Sequence, residues 1–344
     1  MTGILPGLIA LAAAGAAPAA AAASAAPAAA VAAQDTRAQL PFARPQQMVD
    51  VGGRRLNLYC SGAGPVTVVF DAPSSDAGWS WHAVQPEVAK RTRACVYDRA
   101  GLGFSDPSPL PRNSENAVAD LHALLERGGI APPYVMVGSS WGADNVQLYA
   151  YRYPDEVKGL VLVDASHDDE DERLDKVSQG KLKAAMAPMK AFIRQCAAAA
   201  QGGWSIAGAP FASCTGGTGN AYGRELAAAR LAIVSRPGYW QAVVSETDGF
   251  EPSTAQMKAA RRSFGDLPMV LLVRGVSPYA VPGRPQSALN KAAEAEHLAM
   301  QKALAAYSTR STVRVVPGAG HVIHETRPEA VVQGVAEVLG QVRR

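Results

Sequence analysis

Short runs of β-branched and other apolar residues recur along the chain, separated by stretches of helical periodicity. Most of these runs are continuously apolar, which is typical of strands buried on both faces. The first two runs are joined by Gly52-Gly53, which indicates a hairpin. The predicted strands are Met48–Val51, Arg55–Tyr59, Val66–Phe70, Ala94–Tyr97, Tyr134–Val137, Leu160–Val163, Met269–Val273 and Thr312–Val316. Because helices alternate with strands, the pattern predicts an α/β fold with an eight-stranded, mostly parallel sheet flanked by helices.

The alternation of strands and helices stops between residues 165 and 266. The sequence predicts helices in this stretch but no strand. The helices expected there are Leu182–Cys196 and Arg224–Val234. An insertion after the sixth strand, near the strand ends where ligands bind in such sheets, predicts a helical cap over the site. The expected organisation is a core of residues 34–164 and 267–344 with a cap at 165–266.

The first 33 residues contain no charged side chain, and after Gly15 they consist almost entirely of Ala, Pro and Ser. Ile4–Ala13 can serve as the apolar core of a signal peptide, and the alanines before Gln34 offer cleavage sites. A membrane anchor is the alternative, since no Lys or Arg precedes the apolar stretch, but interspersed prolines disfavour a stable span. The sequence therefore predicts a signal peptide at 1–33 and a secreted or periplasmic protein with no stable membrane span.

Composition narrows the function without identifying it. Hydrophobic residues make up 48% of the chain and charged residues 18%, as in ordinary globular enzymes. The net charge is +3 and no Lys/Arg stripe occurs, so nucleic acid is not expected as a partner. The 4 cysteines agree with disulfides in an oxidising compartment, although buried free thiols are the alternative. No CxxC spacing indicates a metal or redox site.

One short motif carries the chemistry. Residues 138–142 read Gly-Ser-Ser-Trp-Gly, a G-x-S-x-G motif centred on Ser140 that follows a buried strand and precedes a helix. This setting suits a nucleophilic serine on a sharp strand-to-helix turn, where small flanking residues let neighbouring segments pass close by. The N–H groups that follow lie at a helix N-terminus and can stabilise negative charge. The motif alone is a weak signal, and its position between strand and helix makes it a strong one.

With this motif the chain resembles the α/β-hydrolase superfamily, and the resemblance extends from Val49 to the C-terminus. It rests further on Asp-Arg-Ala-Gly-Leu-Gly-Phe-Ser at 98–105, which we interpret as a loop-shaping turn without a chemical role. It also rests on Gly-Ala-Gly-His at 318–321, followed by Arg-Pro-Glu at 327–329. This is the usual setting of the family's catalytic histidine. The resemblance implies a hydrolase that needs no cofactor.

The resemblance also bears on the cysteines, which by themselves allow three pairings. In the family's sheet order the second strand lies beside the fourth. The resemblance therefore implies that Cys60 and Cys95 face each other across a strand pair. A second bond would then join Cys196 to Cys214.

For the general base, the resemblance implies His321, which follows the last strand on a glycine-rich loop. From such a loop an imidazole can reach a serine hydroxyl. His324 is expected to lie in a loop or at the start of the next helix. The two histidines could mimic a metal pair, but no third ligand is evident and no metal is predicted. The other histidines are expected to pack or to face solvent, with His167 alone able to approach the pocket; they are His82, His122, His167 and His297.

For the acid, the family offers two positions. The commoner one follows the seventh strand, where this chain has Arg274 and no aspartate nearby. The later carboxylates Glu294 and Glu296 are expected to be exposed on a helix. The other position follows the strand before the cap, where Asp164 stands and gives the order Ser–Asp–His. We therefore predict Asp164 as the acid, the alternative being that it only caps backbone amides at its strand end.

The oxyanion hole of such an enzyme needs a second N–H from the loop after the third strand. That loop contains Pro73, which has no N–H to offer. We therefore predict the backbone N–H groups of Ser74 and Trp141 as the two donors. Trp79 and Trp81 follow and are expected either to line the acyl pocket or to pack in the core.

The predicted activity is hydrolysis of a small-molecule carboxylic ester through an acyl-enzyme on Ser140. Amidase or peptidase activity, acyl transfer to an alcohol and C–C bond hydrolysis use the same triad and are alternatives. A non-catalytic binding protein with this fold is the alternative from another class, and a broken triad would favour it. A serine at this turn argues against the dehalogenase and epoxide-hydrolase branches, which use an aspartate there. The substrate and the oligomeric state are not predicted.

Overall fold

The structure is a computed structural model that describes residues 36–205, 208–215, 222–281 and 283–342. Its described residues form one eight-stranded sheet in the order β1-β2-β4-β3-β5-β6-β7-β8. The strands are β1 (Gln47–Asp50), β2 (Arg55–Ser61), β3 (Thr67–Asp71), β4 (Arg93–Tyr97), β5 (Tyr134–Ser139), β6 (Val157–Val163), β7 (Met269–Arg274) and β8 (Ser311–Val316). Every strand predicted from the apolar runs is present, so the predicted fold class is confirmed.

The sheet is parallel except at one end. β1 and β2 form the predicted antiparallel hairpin, and β2 also pairs antiparallel with β4. The strands from β3 to β8 all run parallel. β5 and β6 are neighbours, with Ser139 opposite Val163. Ser140 and Asp164, the residues that follow these strands, therefore leave the sheet side by side.

Helices cover both faces of the sheet, which explains the continuously apolar strands. Along β3, Val68 and Phe70 belong to one hydrophobic cluster and Val69 to the other, and all three are fully buried. β8 differs because it is an edge strand, and its Val315 is 45% exposed. The helices of the described residues are α1 (Gln85–Ala89), α2 (Ser114–Arg127), α3 (Trp141–Arg152), α4 (Glu170–Ser178), α5 (Lys181–Gln201), α6 (Ala209–Thr215), α7 (Arg224–Val234), α8 (Pro237–Ala260), α9 (Ala288–Ala305), α10 (Ile323–Thr326) and α11 (Pro328–Val342).

The chain between β6 and β7, residues 164–268, is called the β6–β7 segment below. Its described residues form helices α4 to α8 and no strand. α7 has the predicted bounds, and α5 extends the predicted helix at both ends. α8 has no counterpart in the sequence prediction, because Gly249 and Pro252 obscure its helical pattern. Gly249 is required by close packing, since a Cβ there would lie 2.1 Å from the carbonyl oxygen of Arg112.

All four cysteines form disulfides. Cys60 and Cys95 are directly opposite each other in the β2–β4 pair and are bonded. Cys196 in α5 is bonded to Cys214 in α6, 18 residues further on. In the chain-entropy model, closing a loop of this size contributes about 3 kcal/mol to the free energy of unfolding. The pairing implied by the family resemblance is the one observed.

The predicted signal peptide, residues 1–33, lies outside the described residues and stays a prediction. Within the described part of the chain, we find no helix that is both long enough and apolar enough to cross a membrane. The division into a core and a cap likewise stays a prediction, since it requires that the β6–β7 segment cover the site.

Candidate active site

Ser140 occupies the turn between β5 and α3 in a backbone conformation that L-residues rarely adopt. Its φ is 54° and its ψ is −125°. Close approach requires the flanking glycines, because a Cβ at Gly138 would lie 2.3 Å from the carbonyl oxygen of Gly142. A Cβ at Gly142 would lie 2.5 Å from the carbonyl oxygen of Ala72. Such strained turns persist only where the surroundings enforce them, and they are frequent at functional sites.

His321 lies on the loop between β8 and α10 and joins Ser140 to Asp164. Its Nε2 is 2.9 Å from the Oγ of Ser140, and its Nδ1 is 2.6 Å from the Oδ2 of Asp164. An ionised carboxylate can only accept hydrogen bonds, so Nδ1 carries the proton and Nε2 is left to accept from the serine hydroxyl. The His321 side chain is 34% exposed, so this pair is accessible from solvent. The three residues have the geometry of a serine with a base and an orienting acid.

Asp164 follows β6 directly, with a φ of 42°, and its side chain is fully buried. Its Oδ1 accepts from the backbone N–H of Arg274 and from Nε2 of His297, both at 2.9 Å. Its Oδ2 accepts from Nη1 of Arg274 at 3.0 Å and from His321. Burial raises the pKa of Asp164, but Arg274 and the two histidines outweigh burial and hold the pKa well below its ordinary value. Asp164 therefore caps a backbone amide and also presents an ionised carboxylate to His321.

Arg274 and His297 have no role in the sequence-based prediction. Arg274 ends β7, and Glu294 of α9 accepts two hydrogen bonds of 3.0 Å from its guanidinium group. His297 is buried, as expected of a helical histidine, but it binds Asp164 instead of only packing. The expectation of exposed glutamates is wrong, because Glu294 and Glu296 are both only partly exposed. The sequence contains one signal for this pairing. Arg274 stands where the family more commonly has its acid, which indicates that an acid elsewhere, here Asp164, has an arginine as its partner.

Ser74 and Trp141 lie on two segments that meet beside Ser140. Trp141 is the first residue of α3, whose N-terminus carries partial positive charge. Ser74 lies in the loop that follows β3. The close approach of Gly142 to the carbonyl oxygen of Ala72 holds the first turn of α3 against this loop. The role of the two N–H groups as oxyanion donors stays a prediction.

A buried ionic cluster of Asp71, Arg99 and Glu246 lies next to this loop. Arg99 donates to Asp71 at 2.5 Å and to Glu246 at 2.8 Å, and none of the three side chains is more than 1% exposed. Asp71 also accepts from the hydroxyl of Tyr97 at 2.8 Å and from the amide of Asn145 at 3.1 Å. Burial raises the pKa of Asp71, and Arg99, Tyr97 and Asn145 offset this only in part.

This cluster holds the backbone of the loop that contains Ser74. Arg99 donates to the carbonyl oxygens of Ala72 at 2.7 Å and Pro73 at 2.6 Å. Glu246, which comes from α8, accepts the backbone N–H of Ser75 at 2.7 Å. Ser75 has a positive φ of 63°, so the loop is held in a conformation that it would not adopt freely. One residue of the β6–β7 segment therefore takes part in shaping the loop after β3.

The turn at 98–105 shapes its own loop through Asp98, as the sequence predicts, and also supports the Ser74 loop through Arg99, which the sequence does not predict. Asp98 accepts the backbone N–H groups of Gly78 at 2.8 Å and Phe104 at 2.9 Å, which is the loop-shaping role we expected. Arg99, the next residue, supports the Ser74 loop as described above, and its guanidinium lies 5.0 Å from the ring centre of Trp141. The sequence marks the turn but not the distant carboxylate with which its arginine pairs.

The other candidate residues pack in the core. Trp79 and Trp81 are both buried, and the ring of Trp81 lies 4.5 Å from that of His324. His324 lies in the first turn of α10, as expected. Burial, with smaller contributions from His321 and His82, lowers the pKa of His324 to about 3, so this imidazole is neutral.

The described residues include a group of side chains that could hold a metal ion. Its ligand atoms lie within 4.8 Å of one another and belong to His167, Asp168 and Asp169. Arg261 forms ion pairs with both aspartates, and Lys258 lies 2.8 Å from Asp169. His167 Nδ1 accepts the backbone N–H of Asp169 at 3.0 Å. Protein cations and a backbone amide already occupy these ligand atoms, so we assign no metal to the group.

Comparison with known proteins agrees with the fold. Residues 73–188 match the family model described as the alpha/beta hydrolase fold. Over 122 residues the chain is 33% identical to a 2-hydroxy-6-oxo-2,4-heptadienoate hydrolase of Pseudomonas putida, a match covering 35% of this chain and 44% of that protein. The chain spans less than half the length of each such curated relative.

Solved structures resemble the chain over most of its length. A thermophilic esterase from Thermogutta terrifontis superposes with a TM-score of 0.55 at 20% identity, over 88% of this chain and 100% of the esterase chain. The protein DBJA superposes with a TM-score of 0.63 at 18% identity, over 86% of this chain and 97% of its own. At these identities the likeness is evidence for a shared fold.

Proposed function

The chain is an α/β-hydrolase-fold protein, and on that premise we propose that it is a serine hydrolase that cleaves a carboxylic ester. The observation that carries this proposal is the hydrogen-bond chain from Ser140 through His321 to Asp164, with distances of 2.9 Å and 2.6 Å. Hydrolase-named relatives support an enzyme rather than a binding protein. The intact hydrogen-bond chain also argues against a non-catalytic role.

In the first half of the reaction, Ser140 Oγ attacks the ester carbonyl while His321 Nε2 accepts the hydroxyl proton. Asp164 keeps the imidazole in the tautomer that has a free Nε2 and stabilises the imidazolium that forms. The tetrahedral oxyanion receives hydrogen bonds from the backbone N–H groups of Trp141 and Ser74. His321 then gives its proton to the leaving alkoxide, the C–O bond breaks, and the acyl group stays on Ser140.

In the second half, water replaces the alcohol. His321 accepts a proton from water, the hydroxide attacks the acyl-enzyme carbonyl, and the same two N–H groups stabilise the second tetrahedral intermediate. Collapse returns the proton to Ser140 Oγ and releases the carboxylic acid. Each residue ends in its starting protonation state, so the cycle needs no cofactor.

We further propose that the β6–β7 segment is a cap over this site, as the sequence predicts for residues 165–266. Two contacts to the Ser74 loop support this. Glu246 accepts from Ser75, and the hydroxyl of Tyr239 donates to the carbonyl oxygen of Ser75 at 2.8 Å. We also propose that the protein is exported, because two disulfides are typical of oxidising compartments.

A fluorophosphonate probe tests the nucleophile. Activated serines react with this electrophile, whereas ordinary serines are inert. We expect labelling of Ser140, identified by mass spectrometry of the modified peptide, and none in the Ser140→Ala variant. Ser139→Ala is the matched control, because that neighbouring serine is buried and its Oγ has no hydrogen-bond partner. Labelling at Ser139, or no labelling of folded protein, would contradict the proposal.

A substrate panel tests the reaction. Hydrolysis of p-nitrophenyl esters of graded chain length, with the matching anilides and an added alcohol as acyl acceptor, separates esterase, amidase and acyltransferase activity. We expect esters to react faster than anilides. A preference for anilides, or transfer to alcohol that exceeds hydrolysis, would replace the ester assignment while leaving Ser140 as nucleophile.

A further inference from the structure

Asp164 accepts more hydrogen bonds than an orienting acid needs. Holding a histidine requires one N–H···O bond, and here His321 supplies it through Oδ2. Three further donors bind the same carboxylate: two from Arg274 and one from His297, at 2.9 to 3.0 Å. The side chains of Arg274 and His297 are 8% and 3% exposed, so solvent screens these contacts little.

We propose that Arg274 and His297 are positioning residues that act on His321 through Asp164, Arg274 by sharing the carboxylate charge and His297 by fixing its orientation. The consequence is that His321 is a weaker base than a histidine paired with an unshared aspartate, and activity extends to lower pH. This inference rests on the role of His321 in the proposed function.

The effect of Arg274 is electrostatic. Its Nη1 and the Nδ1 of His321 bind the same oxygen, Oδ2 of Asp164. A guanidinium at this oxygen reduces the negative potential that would stabilise a protonated His321, and it also repels the imidazolium directly. Glu294 binds the far side of the guanidinium group and so fixes its position, while its own charge weakens this effect in part.

The effect of His297 is geometric. Its Nε2 lies 2.9 Å from Oδ1 of Asp164, whereas its Nδ1 is buried without a hydrogen-bond partner. An ionised carboxylate can only accept, so Nε2 of His297 is the donor in this bond, and the bond restrains the orientation of the carboxylate.

Other titratable groups that face this cluster come from three elements. Glu294 lies on α9 beside His297. Tyr279, in the loop after β7, is close enough to Arg274 and Glu294 to interact with their charges. His324 of α10 is close enough to His321 to interact with its charge, but it is neutral. Arg274 is the one cation of the described chain that binds Asp164.

The test compares charge removal with charge retention at residue 274. In Arg274→Met the guanidinium is lost, and we expect the acid-side midpoint of the pH profile of kcat/KM to rise by about one pH unit. Arg274→Lys keeps the positive charge, so its midpoint should lie close to that of the wild type. Glu294→Gln removes a negative charge and should move the midpoint the other way, by less than about half a unit. Glu296→Gln is the control, since Glu296 pairs with Arg173 and not with Arg274.

A second comparison isolates the geometric role of His297. His297→Gln keeps an N–H near the position of Nε2, whereas His297→Leu removes it. We expect kcat to fall about tenfold in the leucine variant and to recover in the glutamine variant, with KM nearly unchanged in both, because the carboxylate does not contact substrate.

A readout without substrate separates this inference from the proposed function. The low-field NMR signal of the His321 Nδ1 proton, followed against pH, reports the protonation of the imidazole whether or not an ester is hydrolysed. The inference is supported if its midpoint rises in Arg274→Met and falls in Glu294→Gln. It is overturned if both variants are folded by circular dichroism and neither shifts it. If Arg274→Met does not fold, two other results decide the question. The midpoint must fall in Glu294→Gln relative to the wild type, and kcat must be higher in His297→Gln than in His297→Leu.

Discussion

Two buried ionic clusters flank Ser140, and the pKa values of the acids in them are shifted in opposite directions. On one side Asp164 pairs with Arg274, and its pKa is held well below the ordinary value despite burial. On the other side Asp71 pairs with Arg99, and burial raises its pKa despite the ion pair. Both carboxylates are fully buried beside an arginine, so burial and pairing alone do not decide their behaviour.

The clusters differ in the exposure of the second acid that pairs with each arginine and in the other donors to the first acid. Arg274 serves Asp164 and Glu294, which is 22% exposed and partly stabilised by solvent, and two histidines assist it at Asp164. Arg99 serves Asp71 together with the fully buried Glu246 and also donates to three backbone carbonyl groups. Each arginine thus serves two acids, but in the first cluster the second acid reaches solvent and two histidines also donate to Asp164, whereas in the second cluster both acids are fully buried. The first suits a carboxylate that must stay charged near the reaction, and the second suits a support for the backbone.

The largest expected effect separates the two acids by rate. Asp164→Asn retains the shape of the side chain but favours the wrong tautomer of His321, and we expect kcat to fall by about four orders of magnitude. Asp71→Asn should lower kcat far less, because Asp71 binds Arg99, Tyr97 and Asn145 and does not contact His321. Ester hydrolysis, with folding checked by circular dichroism, measures both. Equal losses in the two folded variants would remove the functional distinction between the clusters.

The next effect separates the two arginines by stability. Arg99→Met leaves Asp71 and Glu246 buried without their cation, and we expect the free energy of unfolding to fall by about 3–5 kcal/mol. Arg274→Met should cost less, because Asp164 keeps its histidine donors and Glu294 can turn to solvent. Urea unfolding of both variants under one set of conditions gives the comparison. A larger loss of unfolding free energy in Arg274→Met than in Arg99→Met would show that the burial of both partner acids does not determine the cost of removing the arginine.

A smaller effect on rate concerns the loop after β3. Glu246→Gln weakens the hold of α8 on Ser75, and we expect kcat to fall about tenfold with KM changing less, because the N–H of Ser74, which we propose as an oxyanion donor, is then less well oriented. Asp248→Asn, on the same helix, removes an exposed ion pair and serves as the control. An unchanged kcat in folded Glu246→Gln would argue that the Ser74 loop keeps its shape without α8.

The smallest effect is a difference in the pH dependence of stability. Asp164 has a lowered folded pKa, so its contribution to stability is present above the unfolded value, about 3.9, and is lost as pH falls through the folded pKa. Asp71 has a raised folded pKa, so its contribution declines as pH rises from the unfolded value through the folded one.

The destabilisation caused by Asp164→Asn should therefore grow with pH below about pH 5, whereas that caused by Asp71→Asn should shrink as pH rises. The slope of each difference is at most about 1.4 kcal/mol per pH unit. Urea unfolding from pH 3 to 7, relative to wild type, measures both slopes. Slopes of the same sign would contradict the opposite directions of the two pKa shifts.

The sequence is most informative where local pattern and chain order suffice. The apolar runs predict all eight strands because most strand residues are buried, and G-x-S-x-G predicts the turn at Ser140 because only small residues fit beside it. The edge position of β8 cannot be read from its sequence. Its run of β-branched residues resembles those of the central strands, yet Val315, at the edge of the sheet, is 45% exposed.

The sequence is least informative where distant charges meet. Arg99 and Glu246 are separated by 147 residues, and nothing beside either one identifies its partner. His297 looks like any helical histidine until Asp164 is placed against it. α8 was missed for a local reason, since Gly249 and Pro252 interrupt a helix that tertiary packing maintains. Pairings of this kind depend on the folded geometry, so they could not be predicted from composition or periodicity.

The position of the β6–β7 segment in the chain has a consequence for evolution. β6 and β7 are parallel neighbours, so any connection that crosses from the end of one to the start of the other preserves the sheet, and about a dozen residues suffice. Ser140 lies before the segment, Asp164 is its first residue and His321 lies after it, so a lineage could replace the residues that follow Asp164 and acquire a new substrate range. One inherited restriction accompanies the exchange. A replacement that lacks an acid at the position of Glu246 leaves Arg99 paired with Asp71 but removes the acceptor that holds the backbone of Ser75.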